Sequence, residues 1–232
     1  MNVDTKATNY WNAVKNLQPF FRECVALVKE IRSQLTPEIN KIPGAKCGGF
    51  GGELEVSDNE GWISLSLLNQ VSVREKKRGR GTNVGWLYYL LVIGQEEYSP
   101  ASPDFPFLEI GYEAGGDPWD DAYSLLDGPG EEDNTIDYCL TADGRLLVGK
   151  NYKTYWKNDD AEFYFILPLF SLRSRKDIKN FVVKPTMDLL TRERGLQDDP
   201  PFVFEEGHPA LRLKKRDYED WYMLDGEILN TR

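Results

Sequence analysis

The sequence predicts an α+β protein, in which a mainly antiparallel sheet carries N-terminal and C-terminal helices packed on one face. Three observations lead to this prediction. Apolar residues recur at helical spacing near the N-terminus, short apolar or alternating runs separated by turn signals fill the middle, and a second helical pattern follows Ser174. Strands and helices do not alternate along the chain, so a doubly wound parallel sheet is not expected.

The N-terminal segment, residues 1–42, is expected to be helical. Apolar residues recur at steps of three and four from Trp11 to Leu35, which places them on one face of a helix. Pro19 interrupts this pattern, so we expect the main helix at residues 20–35, preceded by a shorter helical segment. Thr36-Pro37 is expected to end the helix, because the residue before a proline avoids helical geometry.

Residues 43–172 are expected to form the antiparallel sheet. The glycine-rich run 43–52 predicts a flexible connection or a bulged entry into a strand, since glycine tolerates unusual backbone geometry. A first strand at Leu54–Val56 and a second strand running from Trp62 through Val73 follow. Further strands are expected at residues 84–93, 107–112, 137–140, 145–148 and 161–170.

Residues 173–195 predict a C-terminal helix. Ser174 is placed to cap its first turn, with Asp177 three residues later, and Pro185 is expected to bend or break it. Residues 196–232 are expected to dock on the body as a tail. With 232 residues, the four segments are expected to form one domain.

Composition excludes several classes of protein. The longest apolar run, Trp86–Ile93, is too short to cross a bilayer, and the N-terminus lacks the features of a signal peptide. A soluble, cytoplasmic protein without membrane contact is therefore expected. The three cysteines, Cys24, Cys47 and Cys139, are an odd number at wide spacings, which predicts buried reduced thiols rather than disulfides or a zinc ribbon.

The single histidine, His208, limits the available chemistry. Metal sites that need two or three imidazoles are excluded, and no GxSxG nucleophile motif accompanies His208. We expect His208 to be an exposed loop residue. Because the glycines at 43–52 precede a strand instead of a helix, they do not predict a phosphate-binding loop. No cofactor and no metal site are expected, and the sequence favours a protein that is not an enzyme.

The charge distribution is the most informative feature for function. The chain has 38 acidic and 28 basic residues, and the stretch from Gly81 to Gly144 contains no Lys or Arg. Without the acids of that stretch, the remaining 24 acidic residues face all 28 basic ones. The fourteen acids are Glu96, Glu97, Asp104, Glu109, Glu113, Asp117, Asp120, Asp121, Asp127, Glu131, Glu132, Asp133, Asp137 and Asp143.

This segregation favours a basic protein as the partner. Acidic side chains would speed encounter with a cationic protein, and the interleaved aromatic residues are typical interface anchors. The leading hypothesis is a non-enzymatic binding protein of the immunity or inhibitor kind that presents an acidic, aromatic face. The expected partner-binding residues are Asp117, Trp119, Asp120, Asp121, Glu131, Glu132 and Asp133.

A divalent-metal nuclease or phosphodiesterase is the alternative. Glu75-Lys76-Lys77 has the E-x-K form and follows Asp58, which resembles the PD-(D/E)xK nucleases. That resemblance implies that Asp58 and Glu75 hold the metal while Lys77 stabilises the developing charge. On one continuous strand the two carboxylates would lie about 50 Å apart, so they meet only if the strand breaks near Asn69-Gln70.

Two further interpretations remain open. Residues 150–157 interleave lysines with aromatic rings, which could stack on bases, but an edge strand protected by lysines is favoured and nucleic acid is not the expected partner. The protein could instead be a subunit of a larger assembly in which acidic and basic segments neutralise each other. The oligomeric state is not predicted.

Overall fold

The computed structural model describes residues 3–51, 66–76, 81–93, 105–115, 138–149, 162–192, 202–215 and 222–225. The predicted strand at Leu54–Val56 and the first part of the strand that was expected to begin at Trp62 lie outside these residues. The elements below refer to the described part of the chain.

The first helix, α1, spans Val3–Ile39 as one element and contains both Pro19 and Pro37. The predicted end at Thr36-Pro37 is therefore wrong, and the helix does not restart at Pro19. The reason lies in packing: the stripe formed by Val28, Ile31, Leu35 and Ile39 is buried throughout. Burying one more aliphatic side chain after Pro37 stabilises the last turn by about 2 kcal/mol, which offsets the hydrogen bond that proline cannot donate.

Seven of the described strands form one sheet, and every pair of neighbours in it is antiparallel. The spatial order is β1-β2-β3-β4-β7-β6-β5. Together with the helices, this sheet confirms the mixed α+β class. The strands are β1 Ala45–Gly51, β2 Ser66–Glu75, β3 Asn83–Val92, β4 Phe107–Ala114, β5 Tyr138–Leu140, β6 Leu147–Gly149 and β7 Glu162–Pro168.

The glycine-rich run forms most of the edge strand β1, which corrects the prediction of a flexible connection. A register shift between Cys47 and Phe50 marks a bulge, so the alternative of a bulged strand entry was nearer the structure. A Cβ on Gly48 would overlap the side chains of Ser72 and Arg74, which explains glycine at that position. On the outer side of β1, the Cys47 N–H donates to Asn40 Oδ1 at 2.8 Å.

The core consists of two clusters on the sheet. The larger one joins Leu87, Tyr89 and Leu91 of β3 to residues of both helical regions, including Ile31 and Leu189. The smaller one joins Tyr88 and Tyr164 to Leu213, which comes from the C-terminal segment. Because successive residues of a strand point to opposite faces, β3 contributes to both clusters.

The C-terminal helical region consists of α2 Arg175–Asp177, a π-helical segment Ile178–Val183, and α3 Lys184–Thr191. Ser174 caps it as predicted, because its Oγ accepts a hydrogen bond from the Asp177 N–H at 3.2 Å. The chain remains helical through Pro185, and the adjacent π-helical segment is a common way to absorb such an interruption. A two-stranded sheet of β8 Leu213–Lys215 and β9 Tyr222–Leu224 follows.

Gly111 on β4 provides a test of the smaller cluster. The fully buried rings of Tyr88 and Tyr164 lie 5.6 Å apart between centroids, and a Cβ on Gly111 would overlap both. We expect Gly111→Ala to lower the free energy of unfolding by about 3 kcal/mol, because neither ring can move freely in a packed core. Urea unfolding would measure this loss.

Gly49→Ala is the matched control, since a Cβ at that position meets nothing within 4 Å. Its expected change is below about 1 kcal/mol. Equal losses in the two variants would contradict the packing around Gly111.

Candidate functional site

Six strand ends lie together at one end of the sheet, where strands start or stop. We call this end the charged edge. The six strand ends are Glu75, Asn83, Ala114, Glu162, Gly149 and Tyr138. The register places them together: Arg74 pairs with Asn83, Gly85 with Ala114, Glu113 with Glu162, and Gly149 with Tyr138. The chain leaves and re-enters the sheet at this edge three times.

The three connections that start and end at the charged edge carry most of the segregated charge. Residues 76–82 contain four basic residues and residues 150–161 contain three lysines and two aspartates, whereas residues 116–137 contain eight acids and no base. All seven predicted partner-binding residues belong to residues 116–137 and lie outside the described residues. Their flanking residues, Gly115 and Tyr138, are both at the charged edge.

Glu109 is an acid of the base-free stretch that does not belong to a surface. It is fully buried in β4, between Leu90 and Ile166 in the register, and Tyr88 Oη donates to its Oε1 at 3.4 Å. The expectation that all fourteen acids contribute to one anionic face is therefore wrong for this residue. In the sequence, Glu109 lies within a predicted strand surrounded by apolar residues. This position could have predicted its burial, because a sheet covered on both faces buries every side chain.

The carboxylate of Asp143 accepts hydrogen bonds from neighbours in its own turn. Its Oδ1 accepts from Thr141 Oγ1 at 2.7 Å and from the Arg145 N–H at 3.3 Å, while Gly144 adopts a positive φ of 68°. These contacts build the turn between β5 and β6 that Asp143-Gly144 predicts. The carboxylate of Asp143 therefore stabilises a turn.

The nuclease alternative requires a break in β2 that the structure does not show. Asn69 pairs with Tyr89 and Gln70 with Tyr88, so the strand does not break there. It continues to Glu75 at the charged edge, with one register shift between Val73 and Arg74. Asp58 and Lys77 lie outside the described residues, and this alternative stays a prediction. Among the residues that the structure describes, no group of three metal-ligating side chains occurs.

His208 is buried, which corrects the prediction of an exposed loop histidine. Only 8 % of its surface is exposed, and its ring stacks on Phe204 with centroids 4.3 Å apart. Nε2 lies 3.2 Å from the Phe181 carbonyl, while Nδ1 accepts from the Ala210 N–H at 3.2 Å. The neutral tautomer with the proton on Nε2 satisfies both nitrogens.

The contact with Phe181 has a clear cause in the sequence. Pro185 follows Phe181 by four residues and has no N–H to donate to its carbonyl. The imidazole of His208 supplies a donor at that carbonyl. The only histidine of the chain thus has a structural role, joining residues 202–215 to the C-terminal helical region.

None of the three cysteines forms a disulfide, but only Cys24 is buried. Burial raises its pKa to about 11, and the neighbouring Glu23 adds to that shift. Cys47 and Cys139 are half-buried, so the prediction of buried thiols is wrong for these two residues.

Comparisons with models of protein families, with curated proteins and with solved structures gave no match to this chain. In the described part of the chain, no helix has both the length and the apolar character to cross a bilayer.

The burial of His208 generates a pH-dependent prediction. Burial lowers its pKa to about 4, and Arg145 lowers it further, while the Phe181 carbonyl, Glu205 and Asp143 oppose the shift. The unfolded state therefore binds more protons than the folded state between pH 4 and about pH 6.5. We expect the free energy of unfolding to fall by on the order of 3 kcal/mol as the pH drops through this window.

Urea unfolding at a series of pH values would test this, with His208→Gln as the reference for all other titrating groups. The difference between the two proteins should shrink as the pH falls from 6.5 to 4. A difference that stays constant with pH would contradict the lowered pKa, because the folded and unfolded states would then take up the proton over the same pH range.

Proposed function

We propose that the protein is a cytoplasmic, non-enzymatic binding protein whose acidic segment, residues 116–137, engages a basic protein partner. The single observation that carries this proposal is that this base-free segment begins and ends at the charged edge. The three cysteines, none of which forms a disulfide, support a reducing compartment.

The amount of chain in the segment supports an interaction role. In the sheet, β4 and β5 are separated by three strand spacings, or about 14 Å. The 22 residues between Gly115 and Tyr138 could extend to about 70 Å, far more than the connection requires. Long connections in compact domains are commonly functional.

Burial reduces the set of aromatic residues that could contact a partner. Phe107 and Tyr112 are fully buried core residues of β4, so they are excluded as contacts for a partner. Trp119, within the acidic segment, is the anchor that we propose. On this proposal both helices cover the face of the sheet that carries Tyr89, and the charged edge stays accessible beside them.

The same edge also favours one competing arrangement. The basic connections 76–82 and 150–161 start beside the acidic segment, and their lysines and arginines could neutralise it within the chain. That arrangement corresponds to the assembly alternative. The two arrangements differ in what the acids do for the stability of the isolated protein.

The decisive variant carries Asp120→Asn, Asp121→Asn, Glu131→Gln and Glu132→Gln together. We expect its affinity for the basic partner to be lower by about tenfold or more, and wild-type affinity to fall as salt is raised through about 0.1 M. The partner would be captured from the native host on the immobilised full chain, purified, and titrated calorimetrically.

A control variant with Glu23→Gln, Glu38→Gln, Asp188→Asn and Glu206→Gln has the same net charge but changes acids outside the segment. It should retain wild-type affinity. Because uncompensated acids repel one another, the decisive variant should be at least as stable as the wild type. A lower melting temperature in that variant alone would support neutralisation within the chain, and equal affinities of both variants would refute the acidic surface.

A further inference from the structure

The contact between β2 and β3 contains a polar pair that nothing in the fold explains. Asn69 and Tyr89 lie directly opposite each other in the register, so their side chains leave the same face of the sheet with Cβ atoms about 5 Å apart. Asn69 is 6 % exposed and Tyr89 is fully buried. Asn69 Nδ2 and Tyr89 Oη both lack a hydrogen-bond partner.

Two unsatisfied polar atoms on directly opposite residues are unusual for a core. Most buried polar side-chain atoms in proteins have a hydrogen-bond partner, and each exception calls for an explanation such as a bound water or ion. An aliphatic residue and phenylalanine would fill the same space without this cost. The pair therefore offers two unused hydrogen-bond donors to a bound polar group.

The surroundings indicate the chemistry of that group. The Arg32 guanidinium is close enough to Tyr89 to oppose the rise in its pKa that burial causes, and the Cys47 thiol adds to that rise. The Tyr89 hydroxyl therefore stays protonated and can donate a hydrogen bond, as can the Asn69 amide nitrogen. The site offers two neutral donors beside a cation.

Two of these neighbours are themselves accessible to solvent. Arg32 is exposed on α1, just after the buried Ile31, and Cys47 on β1 is half-buried with its Sγ 3.9 Å from Thr36 Oγ1. Burial also raises the pKa of the Cys47 thiol, so it stays uncharged and does not repel an anion.

We propose that Asn69, Tyr89 and Arg32 form a binding site for a small oxyanion, either a carboxylate or a phosphate group. Acceptor oxygens would satisfy the Asn69 amide and the Tyr89 hydroxyl, and the negative charge would lie beside the Arg32 guanidinium. The site lies in the middle of β2 and β3, away from the charged edge, and does not depend on the function proposed above.

Thermal unfolding of the full chain with sodium phosphate or sodium acetate, each against sodium chloride at equal ionic strength, tests the proposal. At about 100 times the dissociation constant, the bound anion should raise the melting temperature by about 5 to 10 °C. The two anions separate a phosphate site from a carboxylate site. The reactivity of Cys47 toward a thiol reagent, measured in Cys139→Ser, should fall as the site fills.

Tyr89→Phe removes only the hydroxyl oxygen. We expect this variant to be as stable as the wild type in chloride and to lose the anion-dependent rise. Arg32→Gln should weaken the rise, whereas Arg22→Gln, an exposed arginine on the same helix, should not.

Equal rises in the wild type and Tyr89→Phe would identify a general salt effect and overturn the site. No response to either anion, with Tyr89→Phe destabilised in chloride, would identify an internal water and overturn it as well.

Discussion

The structure depends on the burial of β3 on both of its faces. Five consecutive residues, Leu87 to Leu91, have no exposed surface. A strand of this kind needs a layer on each side, because leaving one large apolar side chain in water costs about 2 kcal/mol. Apolar residues of α1 and α3 join the cluster that contains Tyr89, and Leu213 joins the one that contains Tyr88. The C-terminal segment is thus part of the core, held further by the Leu211 N–H, which donates to the Ile166 carbonyl at 2.9 Å.

Much of this architecture could be predicted from periodicity, and the errors have physical causes. The apolar pattern located β3, β4 and β7 within a few residues, because their side chains are selected by burial. The full extent of β1 was not predicted, because Gly48 and Gly49 carry no side-chain pattern and their strand is defined by backbone pairing with β2. The end of α1 was misjudged because the packing of Ile39 outweighs the local effect of Pro37.

Less of the candidate site than of the fold could be predicted from the sequence. The charge segregation is visible in the chain, but the common edge depends on the order β4-β7-β6-β5, which no local pattern encodes. The contact of His208 with the Phe181 carbonyl and the Asn69–Tyr89 pairing are both long-range. Each requires the register or the docking of a distant segment before its chemistry can be recognised.

The bond between the Cys47 N–H and Asn40 Oδ1 has a consequence for the behaviour of the protein at high concentration. An exposed edge strand is a template on which another molecule can add a strand and start aggregation. On β1 this donor is already occupied by a side chain from the turn after α1, and the bulge beyond it disturbs the regular spacing of the ladder. Among the described strands, this glycine-rich border of the sheet is thereby a poorer template for fibril-like growth, without a charged residue at Gly48 or Gly49.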